Sequence, residues 1–361
     1  LDRARATNQL GRVAMAQEKE RKAEGYFKDA IDIEPLYATA RYNLGLHYQA
    51  EGEWERALEI YERLKALEPE SQYAATLADS AVDVLALRED TEARGKMALR
   101  VKALAKQLKK GPWQWVGAED DWTTEPLRLA LIEPLESSGL SERAGYPVVT
   151  NRILRERLIN SGRVEVVDPI LLSQLLHEIE ISTEALATTA FAAKLGRVLG
   201  TRIVGLGDFR HGAGPSELTY RLFDARLGEE VARMEIPIPS YRDLDAKTTL
   251  LADRILETAV RSTPLQAYVV EVKGDRALLN LGAGQGVTIG RFFDVIEEQL
   301  FVEYKGKTLY PDPVRFARLE VVEVEGNFCF ARIVSQERPI KRNDKVIEDI
   351  SDLMVTGETK R

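Results

Sequence analysis

A repeat of thirty-four residues constrains the fold of this 361-residue chain more than any other feature. Five positions between Leu10 and Pro35 recur thirty-four places later as the same or a similar residue. Because a period of this length is typical of stacked helix pairs, the agreement predicts two such pairs. The matching positions are Leu10 and Leu44, Gly11 and Gly45, Ala23 and Ala57, Phe27 and Tyr61, and Pro35 and Pro69.

The spacing resembles that of the tetratricopeptide repeat, in which small residues allow the two helices of a pair to cross closely. In the second copy, residues 38–71, Gly45 and Ala57 are the small positions, whereas Tyr48 and Tyr61 fill the space between neighbouring repeats. The resemblance implies a stack that binds other protein chains. Two amphipathic helix pairs in an ordinary bundle are the alternative interpretation.

The repeat pattern weakens after Pro69, where Asp79 and Thr91 replace the expected glycine and alanine. Apolar periodicity nevertheless continues to residue 109. We therefore expect residues 72–109 to form a degenerate third pair that caps the stack, because terminal repeats need a more polar outer face. Residues 1–110 are predicted to be one helical domain.

The composition is that of a soluble globular protein, with 44% hydrophobic and 30% charged residues. The length predicts two or three domains, and the net charge of -8 gives no general attraction for nucleic acid. One cysteine, Cys329, excludes an internal disulfide. Because the sequence begins at Leu1 rather than Met, we expect a trimmed or processed terminus, with which a signal peptide or a lipid-anchored cysteine could have been lost.

Residues 111–126 break the helical pattern with Gly111, Pro112 and three tryptophans. We interpret them as a linker whose indole rings, at Trp113, Trp115 and Trp122, pack at a domain junction. Stacking of these rings on a ligand is the alternative.

Residues 127–263 alternate strand and helix signals, which predicts an α/β sandwich with a mixed sheet. Short apolar runs bounded by turn residues mark the strands, and longer periodic runs mark the helices. The strands are predicted at 127–132, 164–167, 202–209, 217–225 and 230–237, and the helices at 148–161, 169–179, 185–199 and 244–261.

Two segments of this module carry a family resemblance: Gly-Arg-Val-Glu-Val-Val at 162–167, and Lys-Leu-Gly followed by Leu-Gly-Thr-Arg-Ile-Val-Gly within 194–205. They are similar to a group of bacterial envelope modules. The group includes the amino-terminal domain of TolB, the curli secretion protein CsgG, the LpoB-type activators of penicillin-binding proteins and the middle domain of the flagellar protein FlgT. The resemblance implies an envelope protein.

Apolar residues alternate with a period of two from residue 266, which predicts a small antiparallel β-barrel over 264–350 and a tail at 351–361. Its strands are predicted at 268–272, 277–281, 292–297, 318–325 and 328–334. The glycines Gly282, Gly284 and Gly286 are interpreted as turns, as in the carboxyl-terminal barrel of FlgT, which this segment resembles. A phosphate-binding loop is the alternative, but no helix follows to hold the anion.

The chain shows no pattern of catalytic or metal-ligating residues. The histidines, His47, His177 and His211, have no second ligand at metal-binding spacing, and common hydrolase and nucleotide-binding motifs do not occur. Asp208 and Arg210 beside His211 are interpreted as a polar loop tip rather than a catalytic cluster. We expect no enzymatic activity, no metal and no cofactor.

The sequence therefore predicts a multidomain α+β protein that acts as a non-catalytic scaffold or assembly factor in the periplasm, associated with the outer membrane. Partners are expected to be other envelope proteins, with self-assembly into a ring as a further expectation, and no nucleic acid. The alternatives are an LpoB-like regulator of a peptidoglycan synthase and a cytoplasmic adaptor. The candidate partner-binding residues on the inner helices of the repeats are Asn8, Arg12, Arg41, Asn43 and Gln49.

Overall fold

The computed structural model describes residues 1–110, 122–186, 188–212, 214–299, 302–304, 307–309 and 311–351. The chain forms two compact units that each contain several segments. The first unit comprises Leu1–Trp113, Leu129–Arg157 and Val166–Asp253, and the second comprises Gln114–Arg128, Leu158–Glu165 and Arg254–Arg361. The architecture is multidomain α+β, with a helical stack, a mixed sheet and a closed antiparallel barrel.

The helical stack begins with antiparallel pairs in which glycine lets two helices approach closely. A Cβ atom at Gly11 would lie 2.5 Å from the ring of Phe27, and one at Gly45 would lie 2.5 Å from the ring of Tyr61. Both rings are fully buried, so the sequence repeat corresponds to one repeated packing contact. The helices are α1 (Asp2–Ala16), α2 (Glu20–Ile33), α3 (Ala38–Ala50), α4 (Trp54–Leu67), α5 (Gln72–Glu89) and α6 (Thr91–Lys109).

The last helix, α6, differs from the expected polar cap. Ala105 and Leu108 belong to the hydrophobic core that covers one face of the mixed sheet. Helix α6 packs against two helices of the α/β layer, Pro169–Ile179 and Thr189–Leu199. Its apolar stripe therefore completes the core of another layer rather than closing a third repeat, which explains why the repeat pattern fades there.

The mixed sheet has the strand order β2-β1-β3-β4-β5. Strands β1 and β3 are parallel, with Leu129 opposite Ile203, whereas β3, β4 and β5 form an antiparallel meander. The helix expected at 185–199 is split, because Thr188 caps a new helix by accepting a hydrogen bond from the Phe191 N–H. The elements are β1 (Arg128–Ser138), α7 (Tyr146–Asn160), β2 (Glu165–Val166), α8 (Pro169–Ile179), α9 (Thr183–Leu186), α10 (Thr189–Leu199), β3 (Ile203–Arg210), β4 (Ser216–Asp224), β5 (Glu229–Ile238) and α11 (Leu244–Ser262).

The barrel of the second unit closes in the order β11-β12-β7-β6-β13-β8. Strand β13, which the sequence analysis missed, pairs with both β6 and β8 and so completes the ring. Leu279, Phe293 and Leu319 lie in its fully buried core. The strands are β6 (Gln266–Lys273), β7 (Arg276–Leu279), β8 (Phe292–Glu297), β9 (Val302–Tyr304), β10 (Lys307–Leu309), β11 (Val314–Val324), β12 (Cys329–Gln336) and β13 (Lys345–Glu348).

A buried ion pair within the second unit explains the Gly-Arg motif at 162–163. Arg163 Nη2 lies 3.0 Å from Glu348 Oε2, and the guanidinium also donates to the carbonyls of Gln285 and Thr263. Burial lowers the pKa of Arg163, and the Glu348 carboxylate opposes this shift. Since Glu348 also accepts from the Leu265 N–H, its charge is held by two donors.

The glycine-rich segment of the barrel serves backbone packing. A Cβ atom at Gly282 would lie 2.2 Å from the carbonyl oxygen of Glu325, and Gly286 adopts a φ of +85°. Between them Ala283–Gln285 forms a single turn of 3₁₀ helix. The segment is therefore a tight turn between strands, as expected from the sequence. Trp122 donates its indole N–H to the carbonyl of Ala267, whereas Trp113 and Trp115 of the proposed linker lie outside the described residues.

We predict opposite stability changes for the same substitution at two helical glycines. Gly45→Ala should destabilise the protein by about 1–2 kcal/mol, because the added methyl group displaces the buried ring of Tyr61. Gly25→Ala in α2 has no atom within 4 Å of the new Cβ and should stabilise by about 0.5–1 kcal/mol through helix propensity. Urea unfolding followed by far-UV circular dichroism measures both. Equal stabilisation by the two variants would show that helix crossing at Gly45 is not tight.

Candidate functional site

The inner helices of the repeat stack, α1, α3 and α5, line a groove that is filled by a segment of the same chain. This segment, residues 139–145, connects β1 to α7 and is called here the groove loop. Ser141, Arg143 and Ala144 of the groove loop are buried, and Glu142 is exposed. The repeats and the α/β layer meet through these contacts within the first unit.

Two asparagines bind the backbone of the groove loop. Asn43 Nδ2 donates to the Glu142 carbonyl at 3.0 Å, and Asn43 Oδ1 accepts from the Ala144 N–H at 2.8 Å. Asn8 Nδ2 also donates to the Glu142 carbonyl, at 3.2 Å, while its Oδ1 accepts from Asn43. Both asparagines are fully buried. An amide that uses donor and acceptor together satisfies two backbone groups of an extended segment, which is how a groove can hold a chain with little regard to its side chains.

Arg12 binds the start of the groove loop. Its Nε donates to the Ser141 carbonyl at 3.2 Å and its Nη2 to the Ser141 hydroxyl at 3.3 Å. The Glu136 carboxylate lies 3.9 Å from the same guanidinium. Burial lowers the pKa of Arg12, and the charge of Glu136 counteracts this effect. The buried cation is therefore held by a carboxylate and by two oxygens of Ser141.

Arg143 is the most deeply inserted side chain of the groove loop, with 2% of the residue exposed. Its guanidinium carbon lies 4.0 Å from the ring centre of Tyr42, 5.5 Å from that of Tyr73 and 3.6 Å from that of Tyr241. Nη2 donates to the Thr39 hydroxyl at 3.3 Å, and Nη1 lies 3.7 Å from the Glu68 carboxylate. Aromatic faces attract a cation and tolerate its burial, so three tyrosines offset part of the hydration that this guanidinium loses, although Nε and Nη1 have no hydrogen-bond partner among the described residues.

The end of the groove loop is held by Tyr73 of α5, whose hydroxyl donates to the Ala144 carbonyl. Desolvation raises the pKa of Tyr73 well above its ordinary value, so this hydroxyl keeps its proton and remains a donor. The following residue, Gly145, adopts a φ of +92°, and a Cβ atom there would lie 2.8 Å from Leu46. Only glycine combines that backbone with such close approach to α3.

Local sequence explains why these side chains converge. Asn8 and Arg12 are four residues apart on α1, and Thr39 and Asn43 are four residues apart on α3, so each pair shares one helix face. The stacking of repeats then places the two faces side by side. The sheet contributes the remaining groups, because Glu136 lies near the end of strand β1 and Ser141 follows that strand.

His211 supports the groove loop from the sheet side. Its backbone N–H donates to the Ser138 carbonyl at 2.8 Å, while Nε2 lies 3.1 Å from Glu136 and Nδ1 lies 2.8 Å from the Ser216 hydroxyl. The ring stacks on Phe209, with centroids 5.8 Å apart. His211 thereby orients the carboxylate of Glu136 that faces Arg12, a role that the sequence analysis did not assign to it.

The structure brings together three of the five candidate residues, Asn8, Arg12 and Asn43, and separates the other two. Arg41 donates to the Pro35 carbonyl and lines a different cavity. Gln49 accepts a hydrogen bond from the Tyr61 hydroxyl at 3.1 Å. Sequence reasoning missed Arg143 and its tyrosines, because their proximity depends on how the loop after β1 returns to the repeats. The alignment of the two repeats does not indicate that this loop contacts the repeat helices.

Among the residues that the structure describes, no group of three or more histidine, cysteine, aspartate or glutamate side chains could hold a metal ion. None of the described helices is both long and apolar enough to cross a membrane.

The helical stack matches a known family. Residues 14–79 match the tetratricopeptide repeat. This match includes the second repeat and most of the first, and it supports binding of protein partners. No curated protein matches the chain.

Several solved structures resemble parts of the chain distantly. The LpoB carboxyl-terminal domain of Salmonella enterica is 17% identical, with a TM-score of 0.26, over 39% of this chain and 96% of that one. A lipoprotein of Neisseria meningitidis is 16% identical, with a TM-score of 0.29, over 36% of this chain and 96% of that one. TolB of Acinetobacter baumannii is 12% identical, with a TM-score of 0.26, over 61% and 63% of the two chains. Likeness at this level assigns no function.

We predict that Arg143→Ala destabilises the protein by about 2–4 kcal/mol, because it empties the space between the tyrosines and removes the cation that lies 3.7 Å from the Glu68 carboxylate. The near-UV circular dichroism of the tyrosines should weaken at the same time. Arg226→Ala, at an exposed arginine after β4, is the matched control and should change stability by less than about 0.5 kcal/mol. Similar unfolding midpoints for the two variants would contradict a structural role of Arg143.

We predict that Asn43→Asp destabilises by about 2–3 kcal/mol at neutral pH, since the new carboxylate would face the Glu142 carbonyl without a proton to donate. Burial should raise the pKa of this aspartate in the folded state above its unfolded value. The penalty should therefore be complete above the folded pKa and shrink as the pH falls below it. Urea unfolding at a series of pH values from neutral to acidic measures the loss in the free energy of unfolding. Asn327→Asp, at an exposed turn, is the control. A penalty that does not change with pH would contradict burial of the carboxylate.

Proposed function

We propose that this protein is a non-catalytic scaffold of a bacterial envelope complex that binds a protein partner through its tetratricopeptide repeats. The observation that carries the proposal is the groove loop, which is bound by buried residues of three successive inner helices. A repeat stack attached in this way presents its remaining surfaces in a fixed orientation to the α/β layer of the same unit. Fixed orientation is what a scaffold needs, because it lowers the entropy cost of assembling partners.

The filled groove changes the expected way of binding. An external peptide could use Asn8, Arg12 and Asn43 only after displacing a loop whose central arginine is buried among three tyrosines. Breaking such a buried cluster costs several kcal/mol, on the order of 3–5 kcal/mol. A partner that binds another face of the repeats avoids this cost, and we assign partner binding to such a face.

The envelope location rests on the Gly-Arg-Val-Glu-Val-Val and Lys-Leu-Gly motifs of residues 162–205, which resemble envelope modules. The location and the outer-membrane association are therefore parts of the proposal.

Fractionation and crosslinking in the bacterium that encodes the chain test the proposal. The full-length chain should be recovered in the envelope fraction. A photoreactive amino acid in place of Glu55, which is exposed on α4, should crosslink an identified envelope protein. An excess of the purified chain without the photoreactive group should reduce the yield of this crosslink. Recovery in the cytosol would overturn the envelope role. A peptidoglycan synthase as the sole partner would replace the scaffold with a regulator of cell-wall synthesis.

A further inference from the structure

A cavity of about 350 Å³ opens on the outer side of the repeat stack, away from the groove loop contacts. Helices α2 and α4 flank it, and α3 forms its floor. Its residues come from both tetratricopeptide repeats, so it exists only where the repeats stack. None of its lining residues bonds to the groove loop, which leaves the cavity open while the groove is filled.

The floor of the cavity is apolar. Leu44 of α3 is 6% exposed, and Ile31 of α2 and Ile60 of α4 are half-buried beside it. The aromatic ring of Tyr48 closes one side and carries the Arg56 guanidinium 3.8 Å from its centre. Apolar side chains that are half-buried at a concave surface gain free energy when a partner covers them.

The rim of the cavity is cationic, with Lys28, Arg41, Arg56 and Arg63 against two carboxylates, Asp32 and Glu59. The positive charge of these four side chains is opposite in sign to the net charge of the whole chain, which is -8. Glu24 and Glu53 lie beside the rim and pair with Lys28 and Arg56, so the attraction for an anionic group is centred on Arg41.

Arg41 differs from the other cations of the rim. Lys28 and Arg56 pair with Glu24, and Arg63 pairs with Glu59. Arg41 has no carboxylate partner among the described residues, and its only hydrogen bond goes to the Pro35 carbonyl. Desolvation lowers the pKa of Arg41, and the neighbouring charge of Arg63 lowers it further. An anion placed between Arg41 and Arg63 would relieve this repulsion.

We propose that this outer cavity binds an acidic and apolar segment of a protein partner, with a carboxylate at Arg41 and Arg63 and an aliphatic side chain over Leu44. This inference rests on the proposed scaffold function and names the surface that performs it. A segment that combines acidic and aliphatic side chains matches this cavity, because charged and apolar residues both line it. Asp32 and Glu59 on the same rim disfavour a continuous phosphate backbone, whose charges would have to pass them.

Fluorescence anisotropy with short labelled peptides tests the chemistry of the site. The full chain should bind a peptide that alternates leucine with glutamate. It should bind less well to a leucine–glutamine peptide, which lacks the charge, and to a serine–glutamate peptide, which lacks the aliphatic side chains. Loss of one charge-assisted contact should weaken binding by about tenfold. Equal affinity for all three peptides, or no binding of the leucine–glutamate peptide, would overturn the proposal.

Charge-reversal variants locate the site. Arg41→Glu should weaken binding of the leucine–glutamate peptide by about tenfold or more, whereas Arg100→Glu at an exposed position of α6 should leave it unchanged. Arg63→Glu, at a side chain that is 71% exposed, gives a second variant that should fold and should also weaken binding. Unfolding midpoints check that all three are folded. An equal loss of affinity for the leucine–glutamate peptide in Arg41→Glu and Arg100→Glu would show general electrostatic attraction and would overturn the proposed site.

The envelope crosslink at position 55 separates failure of the site from failure of the function. If Arg41→Glu abolishes the crosslinked envelope partner, the outer cavity is the docking surface. If the partner is captured at wild-type yield by Arg41→Glu, the cavity is not the docking surface, although the scaffold function stands. If the unmodified chain captures no envelope protein while the peptide selectivity holds, the scaffold function fails and the acidic-segment site remains.

Discussion

The buried guanidinium of Arg143 is the interaction on which the first structural unit depends. A charged side chain with 2% exposure is costly to desolvate, and here the cost is offset by three tyrosine rings and by Thr39 and Glu68. The rings come from α3, from α5 and from the short turn before α11. The cation has all of these contacts only when the repeats and the α/β layer are both in place, so the two parts stabilise one another.

The groove of the repeats thus uses the chemistry of peptide recognition within a single chain. Asn43 satisfies a backbone carbonyl and a backbone N–H two residues apart, as an amide does for an extended ligand. Because the ligand is covalently attached, binding costs no translational freedom, and modest hydrogen bonds suffice to hold it. Because the groove is used for architecture, the proposed function assigns recognition to the outer side of the stack, where Arg41 and Arg63 line a cavity with an apolar floor.

The helical repeats are predictable from the sequence because one local contact recurs along the chain. Gly45 and Tyr61 occur at fixed spacing because the close crossing of α3 and α4 needs both, and the spacing alone predicted the helix pair. Two features were not predicted. The capping hydrogen bond of Thr188 divides the helix expected at 185–199, and the short strand β13 gains its partners only when the barrel closes. Short strands carry little periodic signal, since their stability comes from neighbours distant in sequence.

The sequence by itself determined the class of each part: helical repeats from a thirty-four-residue period, an α/β layer from alternating strand and helix signals, and a barrel from a period of two. It also placed Asn8, Arg12 and Asn43 on inner helix faces, because helical geometry follows from residue spacing. Only the tertiary structure decided what those faces bind. The groove loop lies about a hundred residues from Asn43 along the chain, and contacts between such distant segments depend on the packing of whole layers, which no local pattern records.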